Sequence, residues 1–380
     1  MSIVSMKPFS EVSDVEGFWD VRALTYNNGN PVPEERRVSS GRHMYAAEAE
    51  GKVIGCMSVF EMPTAVGART LLCGGVAGVA VAPHRRRGGV GSEMLAWLPG
   101  ELRAAGYALS SLYAFREPFY RRAGYEVCGK RLKVTCPTDR FPRVERPLTI
   151  HRLAPADFPS LGQAYEGFAR TRSGMVLRSE EGWMRVLAEN RELTVYAAGD
   201  PVEAYVVVSH NVAFWSTDHI SEIIWSTKRG YDSVIDFLRQ LAINKTALSW
   251  FEPSDSPFYA SSMDQGIQIA VERPIMFRVV NVQTCLEGLE PVGTGDVSFS
   301  VRDAQVPEND RIWRVSWSEG NLEVREGGLP EFDLTIQQFT QVFLGEPSLA
   351  DLLRNGGVDG SAAAILPLFP ARPVICADFF

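Results

Sequence analysis

The sequence contains few cysteines, and their spacing argues against a metal centre or a disulfide framework. Six cysteines are spread over 380 residues without a CxxC pair: Cys56, Cys73, Cys128, Cys136, Cys285 and Cys376. The five histidines show no ligand spacing either: His43, His84, His151, His210 and His219. We therefore expect no bound metal. We also expect buried, reduced thiols in a cytoplasmic protein, because disulfides are rare in that compartment.

Long apolar segments and excess positive charge are also absent. No run approaches the ~18 consecutive apolar residues of a membrane helix, and residues 1–10 lack the apolar core of a signal peptide. The formal net charge is -8 and the pI is about 5.4. Nucleic acid is therefore not an expected partner, because binding to phosphates needs a basic face. An acidic chain instead attracts cationic molecules.

The chain is long enough for two or three domains, and its 45% hydrophobic content allows each of them a core. The first segment has the pattern of a mixed α/β fold. The predicted elements are a helix over residues 15–24, a hairpin of residues 43–48 and 53–60, strands over residues 71–82 and 108–115, and a helix after residue 90. Pro99 is expected to end or kink that helix, because proline removes a backbone hydrogen bond.

The most informative segment is VAVAPHRRRGGVGS at residues 79–92. A strand pattern leads into three arginines, then three glycines within four residues, and then a helical pattern. Glycines let the backbone approach a ligand, while the N–H groups of a helix start and arginine side chains both favour phosphates. Neither the nucleoside triphosphate loop nor the dinucleotide fingerprint has this spacing. We expect a diphosphate site; a basic surface turn is the alternative.

A second motif, FYRRAGYE, occupies residues 119–126, where Pro118 starts a short helix that carries Tyr120. The first motif resembles the acyl-CoA pyrophosphate loop of the GCN5-related N-acetyltransferases (V-x-V-x-P-x-x-R-x-x-G-x-G/A). The second resembles the F-Y-x-x-x-G-Y/F-E signature of the same family. The two stand in the family's order and at its distance, so the resemblance predicts an active acetyltransferase fold.

The middle of the chain repeats part of this pattern. Residues 194–198 and 202–209 resemble the hairpin of residues 43–47 and 53–59. After the next strand, residues 226–231 read STKRGY, with one glycine and a bulky Tyr231 that cannot cradle a diphosphate. We infer a degenerate second copy of the fold; chance similarity between hairpins is the alternative.

The last hundred residues have a different pattern. Residues 297–301, 312–317 and 322–324 alternate as strands do, and residues 333–345 have the pattern of a capped amphipathic helix that ends at Gly345. Strands followed by helices indicate an α+β domain, and this stretch resembles a sterol carrier protein.

The whole arrangement resembles the enhanced intracellular survival (Eis) family. The fold class is therefore predicted as mixed α/β and α+β, with tandem GCN5-related folds followed by a sterol-carrier-like domain. The predicted boundaries are 1–146 for the catalytic domain, 147–278 for the degenerate domain and 279–380 for the last domain. The resemblance also implies a homohexamer.

The resemblance assigns the residues that bind the cosubstrate acetyl-CoA. Val79, Ala80 and Val81 are expected to line the pantetheine arm. The diphosphate is expected to bind to the residues of the loop and helix start: Arg86, Arg87, Gly88, Gly89, Val90, Gly91 and Ser92. A helix cap is the alternative role for Ser92. Phe115 and Arg116 depart from the small or polar residues of the family, so the resemblance leaves open whether they contact the cosubstrate.

The resemblance also assigns catalysis. Tyr120 matches the family's general acid, since a protonated tyrosine can donate to the departing thiolate; a tyrosine whose hydroxyl is merely hydrogen-bonded is the alternative. The C-terminal carboxylate, here that of Phe380, is the implied base, and a frayed tail is its alternative. Tyr26 and Gly78 are expected to form the wall of a roomy acceptor pocket, although a surface aromatic and a strand glycine would also explain them.

Two classes of function remain open on these residues. The first is an acetyl-CoA-dependent N-acetyltransferase of cationic primary amines such as aminoglycosides, polyamines or lysine. The second is a non-catalytic protein that senses CoA or binds lipid through its last domain, for which an apolar tunnel between residues 290 and 380 is needed.

Overall fold

A computed structural model describes residues 4–37, 41–188, 192–272, 275–358 and 367–380. Its strands are β1 Ser5–Pro8, β2 Arg42–Ala49, β3 Lys52–Val66, β4 Arg69–Val81, β5 Leu109–Tyr113, β6 Glu126–Val127, β7 Leu132–Pro137, β8 Ile150–Arg152, β9 Ser173–Val176, β10 Leu193–Ala198, β11 Ala204–Ser209, β12 Ile220–Trp225, β13 Ala247–Glu252, β14 Gln268–Val271, β15 Ile275–Val279, β16 Thr294–Arg302, β17 Arg311–Ser318, β18 Asn321–Glu326 and β19 Asp333–Thr335. Its α-helices are α1 Val15–Tyr26, α2 Val90–Ala104, α3 Glu117–Arg121, α4 Gly162–Ala169, α5 Glu180–Trp183, α6 Lys228–Leu241, α7 Pro257–Ser261, α8 Val282–Glu287, α9 Ile336–Leu344 and α10 Leu349–Arg354.

The first sheet carries the predicted hairpin of β2 and β3. Its strands follow the order β1-β2-β3-β4-β5-β15-β6, and β9 pairs with β3. In this sheet β4 and β5 run parallel, and their pairing extends from Cys73↔Leu109 to Gly75↔Ser111. Beyond Gly75 the two strands part, although β4 continues to Val81. The fork exposes backbone groups of the segment that precedes the predicted phosphate loop.

The middle of the chain forms a sheet of order β12-β11-β10-β8, with α6 packed against it, and a smaller sheet of order β13-β7-β14. Strand pairing crosses the predicted boundary after residue 146, and β15 itself spans the one after residue 278. β7 of the first segment pairs with β13 and β14, whereas β15 pairs with β5 and β6 in the first sheet. The two copies therefore exchange strands, which hydrophobic patterning along the chain does not encode.

The last domain has a sheet of order β18-β17-β16-β19 packed against α9. Thr335 and Gln338 cap the start of α9 reciprocally, and Gly345 ends it with a left-handed backbone, as predicted. Phe339 and Phe343 of α9 are buried in a core that also includes residues of β16 and β17.

The sequence predicts that Pro99 ends or kinks α2, but the helix does not end there and continues to Ala104. Proline costs an interior helix ~3 kcal/mol. The buried apolar face of α2 outweighs this cost, since each large apolar side chain contributes roughly 1.5–3 kcal/mol when it is buried. That face consists of Met94, Leu95, Leu98 and Leu102.

All six cysteines are buried and free of disulfides. Among the described residues, no cluster of His, Cys, Asp and Glu is arranged to hold a metal ion. The helices of the same residues include none long and apolar enough to cross a membrane.

Candidate active site

A β-bulge in β4 shapes the backbone next to the predicted phosphate loop. Ala77 pairs with Ser58 and Ala80 with Cys56, so β4 carries one extra residue across this step. Gly78 lies in the bulge with φ +61°, a left-handed conformation that favours glycine. A Cβ added there would lie 2.9 Å from the guanidinium nitrogens of Arg22. Gly78 therefore shapes the strand and faces Arg22.

The loop between β4 and α2 presents the start of a helix to this strand. Gly89 is the N-cap of α2 with φ +91°, and Arg87 has φ +63°. No side chain caps the helix, so Ser92 does not take the alternative role of a cap. The first N–H groups of α2 are thus left without side-chain acceptors, and together with the helix dipole they favour a negatively charged ligand.

The fork, the bulge and the loop enclose one cleft of about 1000 Å³. The residues that line it are Thr25, Tyr26, Val79, Ala80, Val81, Arg85, Arg86, Arg87, Gly89, Val90, Gly91, Ser92, Phe115, Arg116, Phe119 and Arg122. This set contains most of the predicted cosubstrate site, together with Tyr26. Gly78, Gly88, Tyr120 and Phe380 are not part of the lining.

The lining includes five arginines and, among the described residues, no acidic side chain. Arg86 donates from Nε to the carbonyl oxygen of Val81 at 3.1 Å. The sequence analysis assigned no role to Arg122 and Phe119, which stand within the FYRRAGYE motif, and it left contacts of Phe115 and Arg116 open. The family pattern fixes the phenylalanine at 119 but leaves position 122 variable, and the packing of α3 beside the loop shows that both residues line the cleft.

Tyr120 lies on α3 and its side chain is buried. Its ring centre is 5.1 Å from that of Phe119 and 5.7 Å from that of Phe115. Burial raises the pKa of the Tyr120 hydroxyl, and the neighbouring hydroxyls of Tyr26 and Tyr125 raise it further. The hydroxyl therefore stays protonated at neutral pH.

The surroundings of the two tyrosines in the FYRRAGYE motif differ. The Tyr125 hydroxyl lies 2.7 Å from that of Ser110 and its ring is fully buried, as expected for a packing residue. No hydrogen bond joins the Tyr120 hydroxyl to another residue of the described part of the chain. Of the two, Tyr120 is the one whose proton is not engaged within the protein.

Tyr26 closes α1 and reaches across to the bulged strand. Its hydroxyl donates to the carbonyl oxygen of Val79 at 2.7 Å, while 58% of the residue stays exposed. Burial of the hydroxyl raises the pKa of Tyr26, with a smaller contribution from Cys56. The exposed ring lines the cleft, in agreement with a position on the pocket wall.

The C-terminal residue lies at the fork between β4 and β5. A Cβ added at Gly75, the last residue of β4 paired with β5, would lie 3.0 Å from the ring of Phe380. The rings of Phe379 and Phe380 lie 4.6 and 5.5 Å from that of Tyr113. The tail is therefore packed against the protein, which argues against a frayed end.

The loop of the second copy is closed. α6 starts at Thr227, whose side chain accepts from the N–H of Gly230 at 2.9 Å. A Cβ added at Gly230 would lie 2.8 Å from the backbone of Glu203, so the turn that precedes β11 blocks this helix start. Tyr231 is buried and donates to Glu252. The anion-binding features of the first loop are absent here.

The sequence matches two known domain families in the order that this geometry suggests. Residues 10–128 match the acetyltransferase (GNAT) domain, and residues 282–377 match the sterol carrier protein domain. The chain is therefore an acetyltransferase that carries a GNAT domain. An uncharacterized N-acetyltransferase of Streptomyces coelicolor is 24% identical over 338 residues, which cover 82% of this chain and 81% of that protein.

Two solved structures share the fold of the whole chain. Eis1 from Mycobacterium abscessus matches with a TM-score of 0.76 and 20% identity over 100% of both chains. A probable N-acyltransferase from Enterococcus faecalis matches with a TM-score of 0.85 and 22% identity, again over 100% of both chains. The predicted Eis-like architecture is therefore confirmed as a fold.

Proposed function

We propose that the chain transfers an acetyl group from acetyl-CoA to a cationic primary amine. The observation that carries this proposal is that a bulged strand, an uncapped helix start and five arginines meet in the same cleft. Members of the superfamily generally use acetyl-CoA. When it is bound, acetyl-CoA supplies a thioester as the acyl donor.

The cleft fits this cosubstrate at both ends. The N–H groups of Gly89, Val90 and Gly91, together with Arg86 and Arg87, would hold the diphosphate by charge and by backbone hydrogen bonds. Val79, Ala80 and Val81 would line the pantetheine arm along the open edge of β4. A Cβ added at Gly91 would lie 3.1 Å from the ring of Phe119, so glycine keeps this part of the cleft open.

We propose Tyr120 as the general acid. Amine attack on a thioester expels a thiolate, which a positioned hydroxyl can protonate. The raised pKa keeps the Tyr120 proton in place until it is needed. The rings of Phe119 and Phe115 lie 5.1 and 5.7 Å from that of Tyr120 and help to hold it in place.

We propose the C-terminal carboxylate of Phe380 as the base. A primary amine is mostly ammonium at neutral pH, so it must lose a proton before it can attack. The packing of Phe380 at the strand fork supports a carboxylate near the reacting groups. Partial burial raises the pKa of a carboxyl group and makes its anion a better base.

The acceptor is proposed as cationic on the basis of charge. The net charge of -8 favours the approach of cations, and the arginines of the cleft already serve the anionic cosubstrate. The exposed ring of Tyr26 adds a face on which an ammonium group can rest.

Release of free CoA thiol tests the proposal most directly. We expect thiol release when acetyl-CoA is mixed with aminoglycosides, polyamines or lysine peptides, and none without an amine. Tight CoA binding with no turnover of any amine would favour a CoA sensor instead.

The lipid-carrier alternative is weakened by the core of the last domain, where the Phe299 ring lies 5.5 to 6.1 Å from three other aromatic rings: Phe332, Phe339 and Phe369.

Self-association into a homohexamer is proposed from the Eis-like architecture. Light scattering at micromolar concentration is expected to give about six times the chain mass of 42.0 kDa. A stable monomer would overturn this part of the proposal without affecting the chemistry.

A further inference from the structure

The C-terminal tail is held by both neighbouring copies of the acetyltransferase fold. The N–H of Ile375 donates to the carbonyl of Ser173 at 2.9 Å, next to the start of β9. Further along, the Tyr113 hydroxyl of β5 donates to the carbonyl oxygen of Asp378 at 3.0 Å. The backbone of the tail is thus fixed up to two residues before its end.

The side chain of Asp378 enters a buried ion network of the second copy. Arg178 donates from Nε to Asp378 at 3.0 Å, and its two terminal nitrogens bind Glu222 at 3.0 and 2.6 Å. Tyr165 donates to Asp378 at 3.2 Å, and Tyr205 donates to Glu222 at 2.7 Å.

The three charged side chains of this network are deeply buried. The side chain of Arg178 is 3% exposed, and those of Glu222 and Asp378 are 10% and 16% exposed. Apolar residues of similar volume often stabilise a protein as well as a buried ion pair does, because ions lose their hydration. A forked guanidinium instead sets the distance and direction of its partners. The network therefore defines where Asp378 lies.

Asp378 precedes the terminal residue by two positions. Two residues span about 7 Å at full extension, so fixing Asp378 confines the terminal carboxylate to a small region. The rings of Phe379 and Phe380 against Tyr113 narrow that region to the strand fork.

We propose that Arg178 is a positioning residue: by binding Asp378, it holds the carboxylate of Phe380 at the fork between β4 and β5. The second copy, which has no open anion site, would then serve catalysis by orienting the base. This inference rests on the proposed role of the Phe380 carboxylate.

A double-mutant cycle tests it. Arg178→Gln should lower kcat about tenfold or more while leaving the Kd of acetyl-CoA within twofold, because the cleft belongs to the first copy. Adding one glycine after Phe380 should lower kcat as well. In the extended protein Arg178→Gln should lower kcat little further, since the carboxylate is already displaced. Arg178→Lys should recover only part of kcat, because lysine keeps the charge but lacks the fork.

Arg172→Gln is the matched control. Arg172 is 8% exposed and binds Asp255 at 2.7 Å through a similar forked contact. Arg172→Gln should lower the melting temperature about as much as Arg178→Gln does, with little effect on kcat. If Arg178→Gln does not fold, Asp378→Asn enters the same cycle, since asparagine keeps the shape and the Tyr165 hydrogen bond.

The outcomes separate the two proposals. Unchanged kcat in the extended protein would overturn the carboxylate base, and the positioning role with it. A strong effect of the extension with an additive or absent effect of Arg178→Gln would overturn the positioning role alone. Non-additive losses of kcat with unchanged acetyl-CoA affinity would support it.

Discussion

The hydroxyl of Tyr26 donates to the carbonyl oxygen of Val79 across 2.7 Å, linking the end of α1 to the bulged strand. Arg86 engages the carbonyl oxygen of Val81 in the same way. Two carbonyls expected to serve the pantetheine arm are therefore already bound by side chains.

Tyr26→Ala should raise the KM of a cationic acceptor, because the exposed ring is then lost. A cation over an aromatic face gains roughly 0.5–2 kcal/mol, which corresponds to a change of about 2- to 30-fold. Tyr26→Phe keeps the ring and serves as control, with a KM near the wild-type value. Steady-state kinetics with one polyamine would check both variants, and an equal rise in KM would assign the effect to the hydroxyl.

Gly89→Asp should weaken acetyl-CoA binding by at least about 100-fold, or ~3 kcal/mol, because it adds a negative charge at the helix start. Titration calorimetry should give one site per chain for the wild type, since the loop of the second copy is closed. Gly100→Asp is the control: it adds the same charge to α2, and the space around its Cβ is open. Two sites per wild-type chain would refute the assignment to the first copy alone.

Tyr120→Phe should lower kcat by about 10²–10⁴, the usual range for a lost general acid, with little change in acetyl-CoA affinity. Tyr125→Phe removes a hydroxyl from the same motif. Because that hydroxyl bonds to Ser110, its loss should cost stability of about 1 kcal/mol and leave kcat close to wild type. Full turnover by Tyr120→Phe would remove this residue from the mechanism.

A C-terminal extension should reduce kcat strongly even when it is short, because it replaces the terminal carboxylate with an amide near the fork. The Kd of acetyl-CoA should remain unchanged. Proteolytic removal of a cleavable tag that restores Phe380 as the last residue should restore activity. An enzyme that is fully active with the tag attached would argue against the carboxylate as base.

Glu252→Gln should make stability less dependent on pH. Burial raises the pKa of Glu252 to about 7, from 4.5 in the unfolded chain. The folded state therefore binds the extra proton between these values, and stability present below pH 4.5 is lost as pH rises through 7. The loss is up to about 3 kcal/mol.

Urea unfolding at pH 5 and pH 8 would measure this difference. The gap between the free energies of unfolding at the two pH values should shrink in Glu252→Gln. Glutamine does not titrate, and it can still accept hydrogen bonds from Tyr231 and Trp250. Glu308→Gln, at an exposed site, should leave the gap unchanged. A gap of equal size in Glu252→Gln would contradict the buried titration.

Several local elements of this protein could be predicted from the sequence alone. The RRRGGVGS loop predicted a helix start that favours anions, and Gly89 indeed caps α2 with a left-handed backbone. The alternation of residues predicted the hairpin of β2 and β3, and the pattern before Gly345 predicted α9. Each of these features depends on neighbours in the chain, so the residue pattern itself carries the information.

Contacts between distant segments were decided only by the tertiary structure. The exchange of β7 and β15 between the two copies has no signal in spacing, because the partners lie far apart in sequence. The same holds for Arg178 and Asp378, 200 residues apart. Burial also decided one local alternative, since α2, with its buried apolar face, does not end at Pro99. The chain thus determined its local elements, and packing determined which of them meet.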